Sequence, residues 1–383
     1  MKFATAIRNF SRRKGGAERY VVDLCTRMAK EGHEVHVYAE HWEEEVQGIH
    51  LHRVKTLPFP KSLRLLSFAI QASRRMDEGN YDVTLGVGNT LRADVYQPHG
   101  GVHWAWFWRS LRAYDDPLLW SIKFLGKVFS PKQWVSGWVE SGSYYQKGLP
   151  RIVAISDMVK EDMTRWYRIP EERIELVYNG VDIERFHPRN RSHGSEIRKR
   201  HDLGDRLIIL FVSNNFRMKG LKYLIKALGE IKKEDHPPLR LLILGRDKKD
   251  PYLPLLEPLG LSQEVIFVGS TDQPEKYYGA ADLLVHPTFY DACSLTVLEA
   301  LASGLPVITT SSNGASGLVS GGEDGWVIKD PTNENELKEA IRYFFNQKVR
   351  EEASGKARKK AEMNSEESNY RRMVAIFSEV SKS

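Results

Sequence analysis

The chain has 383 residues, 41% of them hydrophobic, and a formal net charge of +6; because this length exceeds what one hydrophobic core usually serves, we expect two domains. Its two cysteines, Cys25 and Cys293, are too few for a disulfide framework and lack the paired spacing of a zinc site, which favours a reducing compartment, the cytoplasm. No stretch reaches the roughly 18 apolar residues of a membrane-spanning helix, and we expect neither such a helix nor a secretion signal.

The first half of the chain alternates short, β-branched apolar runs with helical patterns. The runs predict strands at 2–7, 34–39, 49–54, 83–87, 151–155 and 174–177. Between the first two strands, a helix over 17–31 begins after Gly15-Gly16 and ends at Gly32, a glycine just past the last turn. This alternation is typical of βαβ units with a parallel sheet.

The second half repeats the alternation after a polar, basic stretch at 187–195, which we interpret as a linker between domains. It predicts strands at 207–212, 239–244, 265–268, 283–286, 306–310 and 326–328. The C-terminal residues form a helical pattern whose apolar stripe needs a surface to pack on: Tyr370, Met373, Val374 and Phe377. Two doubly wound parallel sheets are the simplest account.

Loops at the carboxyl ends of strands bind ligands in open α/β sheets, and two of them stand out in the first half. Gly15 and Gly16 follow the first strand and open a helix, where glycines let backbone amides approach a phosphate. They do not form the G-x-G-x-x-G dinucleotide fingerprint, and a flexible turn is an equal alternative. His99, between proline and two glycines, is a catalytic candidate, although a lone histidine is more often structural or solvated.

In the second half, Arg217 and Lys219 follow the strand at 207–212 and open a helix. Two cations at the positive end of a helix suit a diphosphate, and the alternative is two solvated charges in a loop. A loop of small residues at 312–317 follows the strand at 306–310, and its backbone amides suit a phosphate as well.

Two carboxylates separated by seven residues lie in the segment 287–301. Glu299 falls within an apolar helix, where a carboxylate is costly unless it accepts hydrogen bonds such as those of ribose hydroxyls. Asp291, in the preceding loop, suits the hydroxyls of a sugar. The alternatives are that Glu299 pairs with a lysine and that Asp291 caps the helix.

Several motifs of nucleotide and metal chemistry are absent from the sequence. It has no G-x-x-x-x-G-K-[ST] loop, no H-E-x-x-H, no C-x-x-C and no D-x-D of the kind that holds a metal against a sugar diphosphate. If a diphosphate leaves from this protein, Arg217, Lys219 and helix amides must neutralise it.

Taken together, these residues resemble the family-4 retaining glycosyltransferases of the GT-B fold, over nearly the whole chain. The most specific segment runs from Asp291 through Glu299 to Val307, which is similar to the family's E-x7-E block and the E-A-x-A-x-G-x-P-V that follows it. The resemblance implies an α/β fold of two doubly wound Rossmann-like domains facing across a cleft. It places an acceptor domain at 1–187, a nucleotide-sugar domain at 200–360, and a C-terminal helix at 365–383 that packs back on the first.

The resemblance also assigns roles to individual residues. The implied donor-binding residues are Gly15, Gly16, Arg217, Lys219, Ser294, Leu295 and Glu299, and the implied catalytic residues are His99 and Asp291. The cations would bind the diphosphate, Glu299 the ribose, and Asp291 the donor sugar, which His99 would orient. No metal and no cofactor is expected, since the nucleotide sugar is a substrate. Two positions depart from the family: Asp291 replaces its glutamate and Asn214 its first arginine.

The implied activity is transfer of a hexose, with glucose expected, from a nucleotide sugar, with a UDP-sugar expected, to a glycan or lipid-linked acceptor in lipopolysaccharide core or surface polysaccharide synthesis. Within the family, the chain looks most like the lipopolysaccharide-core glucosyltransferases. Two alternatives stay open. A hydrolysing nucleotide-sugar epimerase shares the architecture, and a noncatalytic glycosyltransferase-like subunit is compatible with the two departures.

The segment 102–138 holds six of the nine tryptophans, interleaved with basic residues: Arg109, Arg112, Lys123, Lys127 and Lys132. Interleaved tryptophans and cations suit an anionic membrane surface, and the alternative is an aromatic acceptor pocket or ordinary core. We therefore expect a cytoplasmic protein that is peripheral on the inner face of the cell membrane. We expect no nucleic-acid partner.

Overall fold

The computed structural model describes residues 1–43, 45–146 and 148–382 and divides into two compact units. One comprises Met1–Tyr178 and the C-terminal segment from Tyr370, and the other comprises Asn179–Asn369. Each is built on a parallel sheet flanked by helices, which confirms the predicted pair of Rossmann-like α/β domains.

The N-terminal unit contains a seven-stranded parallel sheet in the order β5-β3-β1-β6-β7-β8-β9 and a separate two-stranded pair, β2 and β4. The strands are β1 (Lys2–Ala6), β2 (Asn9–Phe10), β3 (Glu34–Ala39), β4 (His41–Trp42), β5 (Ile49–Arg53), β6 (Val83–Gly86), β7 (Val95–Tyr96), β8 (Arg151–Ala154) and β9 (Ile174–Leu176). The helices are α1 (Gly16–Lys30), α2 (Lys61–Glu78), α3 (His103–Leu111), α4 (Pro117–Val128), α5 (Pro131–Tyr144) and α6 (Asp157–Tyr167).

The C-terminal unit contains a six-stranded parallel sheet in the order β12-β11-β10-β13-β14-β15. The strands are β10 (Leu207–Val212), β11 (Leu239–Leu244), β12 (Val265–Gly269), β13 (Leu283–His286), β14 (Val307–Thr310) and β15 (Gly325–Ile328). The helices are α7 (Arg191–Arg200), α8 (Leu221–Ile231), α9 (Leu253–Leu256), α10 (Pro274–Ala280), α11 (Leu295–Ala302), α12 (Glu334–Tyr343) and α13 (Gln347–Met363). Successive strands are added on one side of β10 up to β12, and the next strand, β13, lies on the other side of β10. The connections after β10 and β13 therefore lead to opposite faces of the sheet and leave a crevice at the carboxyl ends of these strands, the usual ligand site of such sheets.

The last helix, α14 (Glu366–Val380), completes the core of the N-terminal unit. Tyr370, Met373, Ile376 and Phe377 are buried there among strand residues, and the rings of Phe377 and Phe3 lie 5.1 Å apart. The apolar stripe noted in the sequence therefore packs against the N-terminal sheet.

The boundary between the units falls at 178/179 rather than at 187, and the stretch 187–195 is not a linker. A 3-10 turn (Pro188–Asn190) and the start of α7 form there instead. Gly194 is buried, and a Cβ on it would lie only 2.3 Å from the carbonyl oxygen of Gly279 in α10. The composition of the segment is typical of a linker because its buried positions are Asn190 and Gly194, neither of which gives a hydrophobic signal.

Candidate functional site

Two loops of the C-terminal unit meet at the carboxyl ends of β10 and β13. Gly220 adopts a φ of +76°, and a Cβ there would lie 2.1 Å from the carbonyl oxygen of Pro287, so only glycine permits this approach. The amide of Phe289 donates to the carbonyl of Met218 at 2.9 Å. This packing brings Lys219, from the first loop, beside Asp291, from the second.

Lys219 and Asp291 form a charge-assisted pair. The Lys219 Nζ donates to Asp291 Oδ2 at 2.6 Å and to the carbonyl oxygen of Tyr290 at 3.0 Å. Burial alone would raise the pKa of Asp291, but the charge and hydrogen bond of Lys219 outweigh that effect and hold the pKa well below its usual range. Asp291 is therefore an ionised hydrogen-bond acceptor, unsuited to donating a proton.

His286 lies beneath this pair at the end of β13. Its Nε2 is 3.7 Å from Asp291 Oδ2, longer than a hydrogen bond, and its side chain is only 1% exposed. Within the described part of the chain, neither ring nitrogen makes a hydrogen bond. Burial lowers the pKa of His286, so the imidazole is neutral. Sequence reasoning missed this residue, although a histidine that ends an apolar strand on the ligand side of a sheet is a usable signal.

The second predicted carboxylate, Glu299, lies in α11 and accepts a hydrogen bond from the Tyr278 hydroxyl at 2.8 Å. The residue before this helix is Ser294, whose side chain makes no capping hydrogen bond. Leu295 is the first helical residue, and amides at that position have no acceptor within the helix. Asp291 pairs with Lys219 and does not cap α11.

The loop at 312–317 is organised by Asn313, which is fully buried. Its Oδ1 accepts from the amides of Ala315 at 3.1 Å and Ser294 at 3.3 Å, and its Nδ2 donates to Thr309 Oγ1 at 3.0 Å. The amide of Gly314 donates to the carbonyl oxygen of Asp291 at 2.7 Å. This loop therefore fixes the positions of Asp291 and Ser294, a role that the sequence did not indicate for Asn313.

The predicted phosphate cation Arg217 and the departure Asn214 are both exposed. Asn214 Oδ1 accepts from the amide of Arg246 at 3.1 Å, so it holds the loop that follows β11. Asn214 thus contacts protein backbone at the position where the resembled family has an arginine. Of the two predicted cations, the structure places Lys219 against Asp291 and leaves Arg217 on the surface.

In the N-terminal unit, His99 follows β7 and is half-buried. Its Nε2 is 3.1 Å from Gln97 Oε1, and the centre of its ring lies 4.1 Å from that of Tyr20, with the two ring planes tilted by 39°. Because Gln97 Oε1 only accepts, Nε2 carries the proton and Nδ1 is left as an acceptor. Burial lowers the pKa of His99 to about 3, so the ring is neutral near pH 7.

Gly15 precedes α1 and Gly16 is its first residue, in the same unit. Gly15 is the residue before the helix, with extended backbone, and its carbonyl accepts from the amide of Arg19 at 3.0 Å. Both glycines are exposed. The start of α1 therefore lies at the surface, where the first amides of a helix, which have no acceptor within it, can bind a phosphate.

The aromatic segment 102–138 folds into α3, α4 and α5, and the last two of these carry most of its exposed apolar side chains. In α4 no residue is buried. The exposed large apolar residues of the segment are Trp108, Leu118, Ile122, Leu125, Phe129, Trp134 and Trp138. We call these seven residues the apolar face.

Two of the predicted cations of this segment do not reach solvent freely. Arg109 forms a two-point ion pair with the buried carboxylate of Asp162, and Lys127 donates to the carbonyl of Phe107 and lies 4.2 Å from the ring centre of Trp106. Desolvation lowers the pKa of Lys127 to about 8. The exposed cations are Arg112, Lys123 and Lys132. No helix of the described residues has the length and hydropathy needed to cross a membrane.

Comparison with known families gives two matches that together span most of the chain. Residues 14–185 match the model of Glycosyltransferase Family 4, and residues 194–363 match that of Glycosyl transferases group 1.

Individual relatives agree with these families. The lipopolysaccharide glucosyltransferase WaaG of Escherichia coli (strain K12) is 24% identical over 87% of each chain, and a D-inositol 3-phosphate glycosyltransferase of Thermomonospora curvata is 25% identical over 82% of this chain and 79% of that one. The crystal structure of WaaG superimposes with a TM-score of 0.78, at 23% identity over 98% of this chain and 99% of that one. The structure of Anabaena Alr3699/HepE in complex with UDP-glucose has a TM-score of 0.70, at 18% identity over 99% of this chain and 100% of that one.

Proposed function

The chain belongs to the glycosyltransferases of the GT-B fold, with a family-4 N-terminal domain and a group 1 C-terminal domain, and from this premise we propose that it transfers glucose from UDP-glucose with retention of configuration. The proposed acceptor is a lipid-linked glycan of the lipopolysaccharide core type. Two relatives support these choices by name, a lipopolysaccharide glucosyltransferase and a protein crystallised with UDP-glucose.

The observation that carries the proposal is the pairing of Lys219 with Asp291 at the mouth of the C-terminal sheet. A nucleotide sugar offers an interaction partner to each member of this pair. The diphosphate offers Lys219 a second anion, and the sugar hydroxyls offer Asp291 hydrogen-bond donors. Glu299, whose carboxylate accepts from the Tyr278 hydroxyl, is assigned to the ribose hydroxyls, because a carboxylate can accept several hydrogen bonds.

The proposed catalysis is electrostatic. When the glycosidic bond to the diphosphate breaks, negative charge grows on the leaving phosphate and positive charge on the sugar. Lys219, Arg217 and the first amides of α11 would stabilise the phosphate, and the ionised Asp291 would stabilise the sugar. This arrangement assigns the work of a divalent cation to side chains, so we propose transfer without a metal.

We assign His99 to the transferred sugar on the family resemblance. Its neutral ring and free Nδ1 suit a hydrogen bond from a sugar hydroxyl, whereas a ring with so low a pKa is a poor general base near pH 7. We assign Gly15 and Gly16 to the same ligand, because the exposed turn of α1 offers amides to an anion.

We propose that the protein is cytoplasmic and attaches to the inner face of the cell membrane through the apolar face. Seven large exposed apolar side chains in neighbouring helices exceed what isolated surface residues account for. Tryptophans at such a surface suit the headgroup region of a bilayer. A lipid-linked acceptor is embedded in the same layer, so attachment would bring enzyme and acceptor together.

A thermal-shift panel of UDP- and GDP-sugars on the wild type and Glu299→Ala tests the donor. We expect UDP-glucose to stabilise the wild type and not Glu299→Ala, while Glu339→Ala, an exposed carboxylate on α12, keeps the wild-type shift. No shift with any donor would favour a noncatalytic subunit.

A transfer assay with heptose-terminated lipopolysaccharide core tests the reaction. We expect an α-glucosidic product by NMR, formed equally fast with EDTA present. Release of UDP with an epimerised sugar, without acceptor, would identify a hydrolysing epimerase instead.

A further inference from the structure

Four side chains with metal-binding atoms project from one face of the N-terminal sheet at its edge. Glu34 and His36 lie on β3, and His50 and His52 lie on the edge strand β5. In the parallel register His36 is opposite His50, and residues two apart on a strand share a face. The fold therefore gathers one carboxylate and three imidazoles in one place.

His36 lies at the centre of this group. Its Nε2 is 2.9 Å from Glu34 Oε1, and its Nδ1 is 2.8 Å from His52 Nε2. The ring of His50 stacks on that of His36 with centres 4.7 Å apart. One ligand atom each of Glu34, His36 and His50 lies within 4.8 Å of the other two.

We propose that Glu34, His36 and His50 bind a divalent transition metal, with Zn²⁺ as the expected ion. Imidazole nitrogen and carboxylate oxygen are the donors that zinc takes in three-ligand sites, with a water in the fourth position. His36 coordinates through Nε2, and its Nδ1–H donates to His52. That hydrogen bond is the outer contact that fixes the tautomer and orientation of a coordinating histidine.

Coordination requires a small rearrangement of the group, because zinc bonds of 2.0–2.1 Å place ligand atoms roughly 3.4 Å from one another. Glu34 Oε1 and His36 Nε2, which are 2.9 Å apart, would separate slightly, and ligand atoms nearer the 4.8 Å limit would approach one another. Glu34 and His50 are exposed, so little packing opposes their movement, whereas the half-buried His36 is held by Glu34 and His52. Lys2, whose Nζ is 3.7 Å from Glu34 Oε1, competes with the metal for this carboxylate.

The metal would act on the stability of the sheet edge. Among the residues that the structure describes, strand β5 pairs with β3 alone in this sheet, so a metal ion that joins His50 to Glu34 and His36 would fasten it. Glu34 lies at the amino end of β3, whereas Gly15 and His99 belong to loops beyond the carboxyl ends of strands. The site is thus separate from the residues assigned to the sugar donor.

Zinc binding by the tag-free, full-length protein tests this inference. We expect one zinc per chain to survive dialysis, measured by mass spectrometry of the metal content, and a rise in melting temperature with Zn²⁺ but not with Mg²⁺ or Ca²⁺. Titration calorimetry should show that Glu34→Gln and His50→Gln, at exposed positions, each weaken binding at least about tenfold. His52→Gln should weaken it about 10- to 100-fold through the lost outer contact.

Two further variants complete the design. Lys2→Gln should tighten binding because it removes the competing cation, and His193→Gln, an exposed histidine of the other unit, should leave it unchanged. Failure of the wild type to retain zinc overturns the inference. So does zinc binding that is equally tight in Glu34→Gln and His50→Gln, since the ion would then be held elsewhere.

Discussion

Lys219 is the residue on which the ionised state of Asp291 depends. Replacing it by methionine leaves a buried carboxylate with only the neutral His286 beside it, so we expect the pKa of Asp291 to rise and donor binding to weaken. A charge-assisted hydrogen bond contributes about 1.5–3 kcal/mol, so Lys219→Met should lower the affinity for UDP-glucose roughly tenfold to a hundredfold by calorimetry.

The control for this prediction is Lys226→Met. Lys226 donates to Glu334 at 2.8 Å in a partly exposed pair that the donor is not expected to touch. Pairs of that kind contribute little to stability, so affinity and melting temperature should stay close to wild type. Equal affinities in Lys219→Met and wild type would remove Lys219 from the donor site.

His99 gives a prediction about pH. Its pKa is about 3 in the folded protein and close to 6.5 in the unfolded chain, so the unfolded chain binds the extra proton first as pH falls. The folded state therefore loses stability as pH decreases from about 6.5 towards 3. Urea unfolding at pH 7 and pH 5 should show a smaller loss in His99→Gln than in wild type, and an equal loss would mean that the ring is not desolvated.

The site residues divide by how far a single sequence can identify them. Lys219, Asp291 and Glu299 stand in recognisable local patterns, which made them candidates before the structure brought Lys219 and Asp291 together. His286 and Asn313 escaped notice because their roles depend on which side chains and amides the folded loops place around them. Asn313 in particular reads as an ordinary turn residue until Ser294 and Ala315 are placed around it.

At the level of elements, Gly220 decides whether the loops after β10 and β13 can meet. Alanine there combines a φ of +76° with a Cβ 2.1 Å from the Pro287 carbonyl oxygen, and we expect a loss of about 1–3 kcal/mol in the free energy of unfolding. Gly355→Ala is the matched control. Gly355 is exposed in α13 with open space around it, and alanine should stabilise by about 0.5–1 kcal/mol. Equal effects of the two changes in urea unfolding would contradict this account.

Helix α4 gives the prediction for the membrane. Inserting a leucine-sized side chain into an apolar phase contributes about 1.5–3 kcal/mol, so Leu118→Asp and Ile122→Asp should each lower partitioning into anionic vesicles at least about tenfold. Sedimentation with phosphatidylglycerol-containing vesicles measures this. Leu253→Asp, at an exposed leucine of α9 outside the apolar face, should sediment like wild type.

Salt provides a second readout of the same surface. Arg109 and Lys127 are engaged by protein groups, whereas Arg112, Lys123 and Lys132 are exposed, and we expect these three to meet lipid phosphates. At about 1 kcal/mol for each basic residue, charge makes a smaller contribution than the apolar face. Vesicle binding should therefore weaken but persist in high salt, and complete release by salt would assign the attachment to charge alone.

Across the elements, the sequence predicted strands well and the connection between the units poorly. Buried parallel strands such as β10 and β13 are continuous apolar runs, which are visible without any tertiary information. The stretch 187–195 has the composition of a linker, yet α7 packs through Gly194 and Ile197. One glycine and one isoleucine are too few buried positions to give a helical hydrophobic period in the sequence. The boundary at 178/179 is therefore visible only from the packing of the folded chain.

At the scale of the whole molecule, each unit has its own hydrophobic core. Mutating one core at a time tests which unit binds the donor. Phe377 is fully buried in the N-terminal unit beside Phe3, and Phe344 is fully buried in the C-terminal unit. Removing a buried phenylalanine side chain costs about 3–5 kcal/mol, so Phe377→Ala and Phe344→Ala should each destabilise mainly the unit that contains it.

UDP-glucose distinguishes the two transitions, because a ligand stabilises only the folded unit that binds it. In Phe377→Ala, calorimetry should show one transition at lower temperature that the donor shifts little, and a second that the donor still raises. In Phe344→Ala, the lowered transition should be the donor-sensitive one. Phe377→Ala could instead lose donor binding at a temperature where the C-terminal unit is folded. The N-terminal unit would then contribute a large share of the binding free energy, and Lys219, Asp291 and Glu299 would not account for donor binding by themselves.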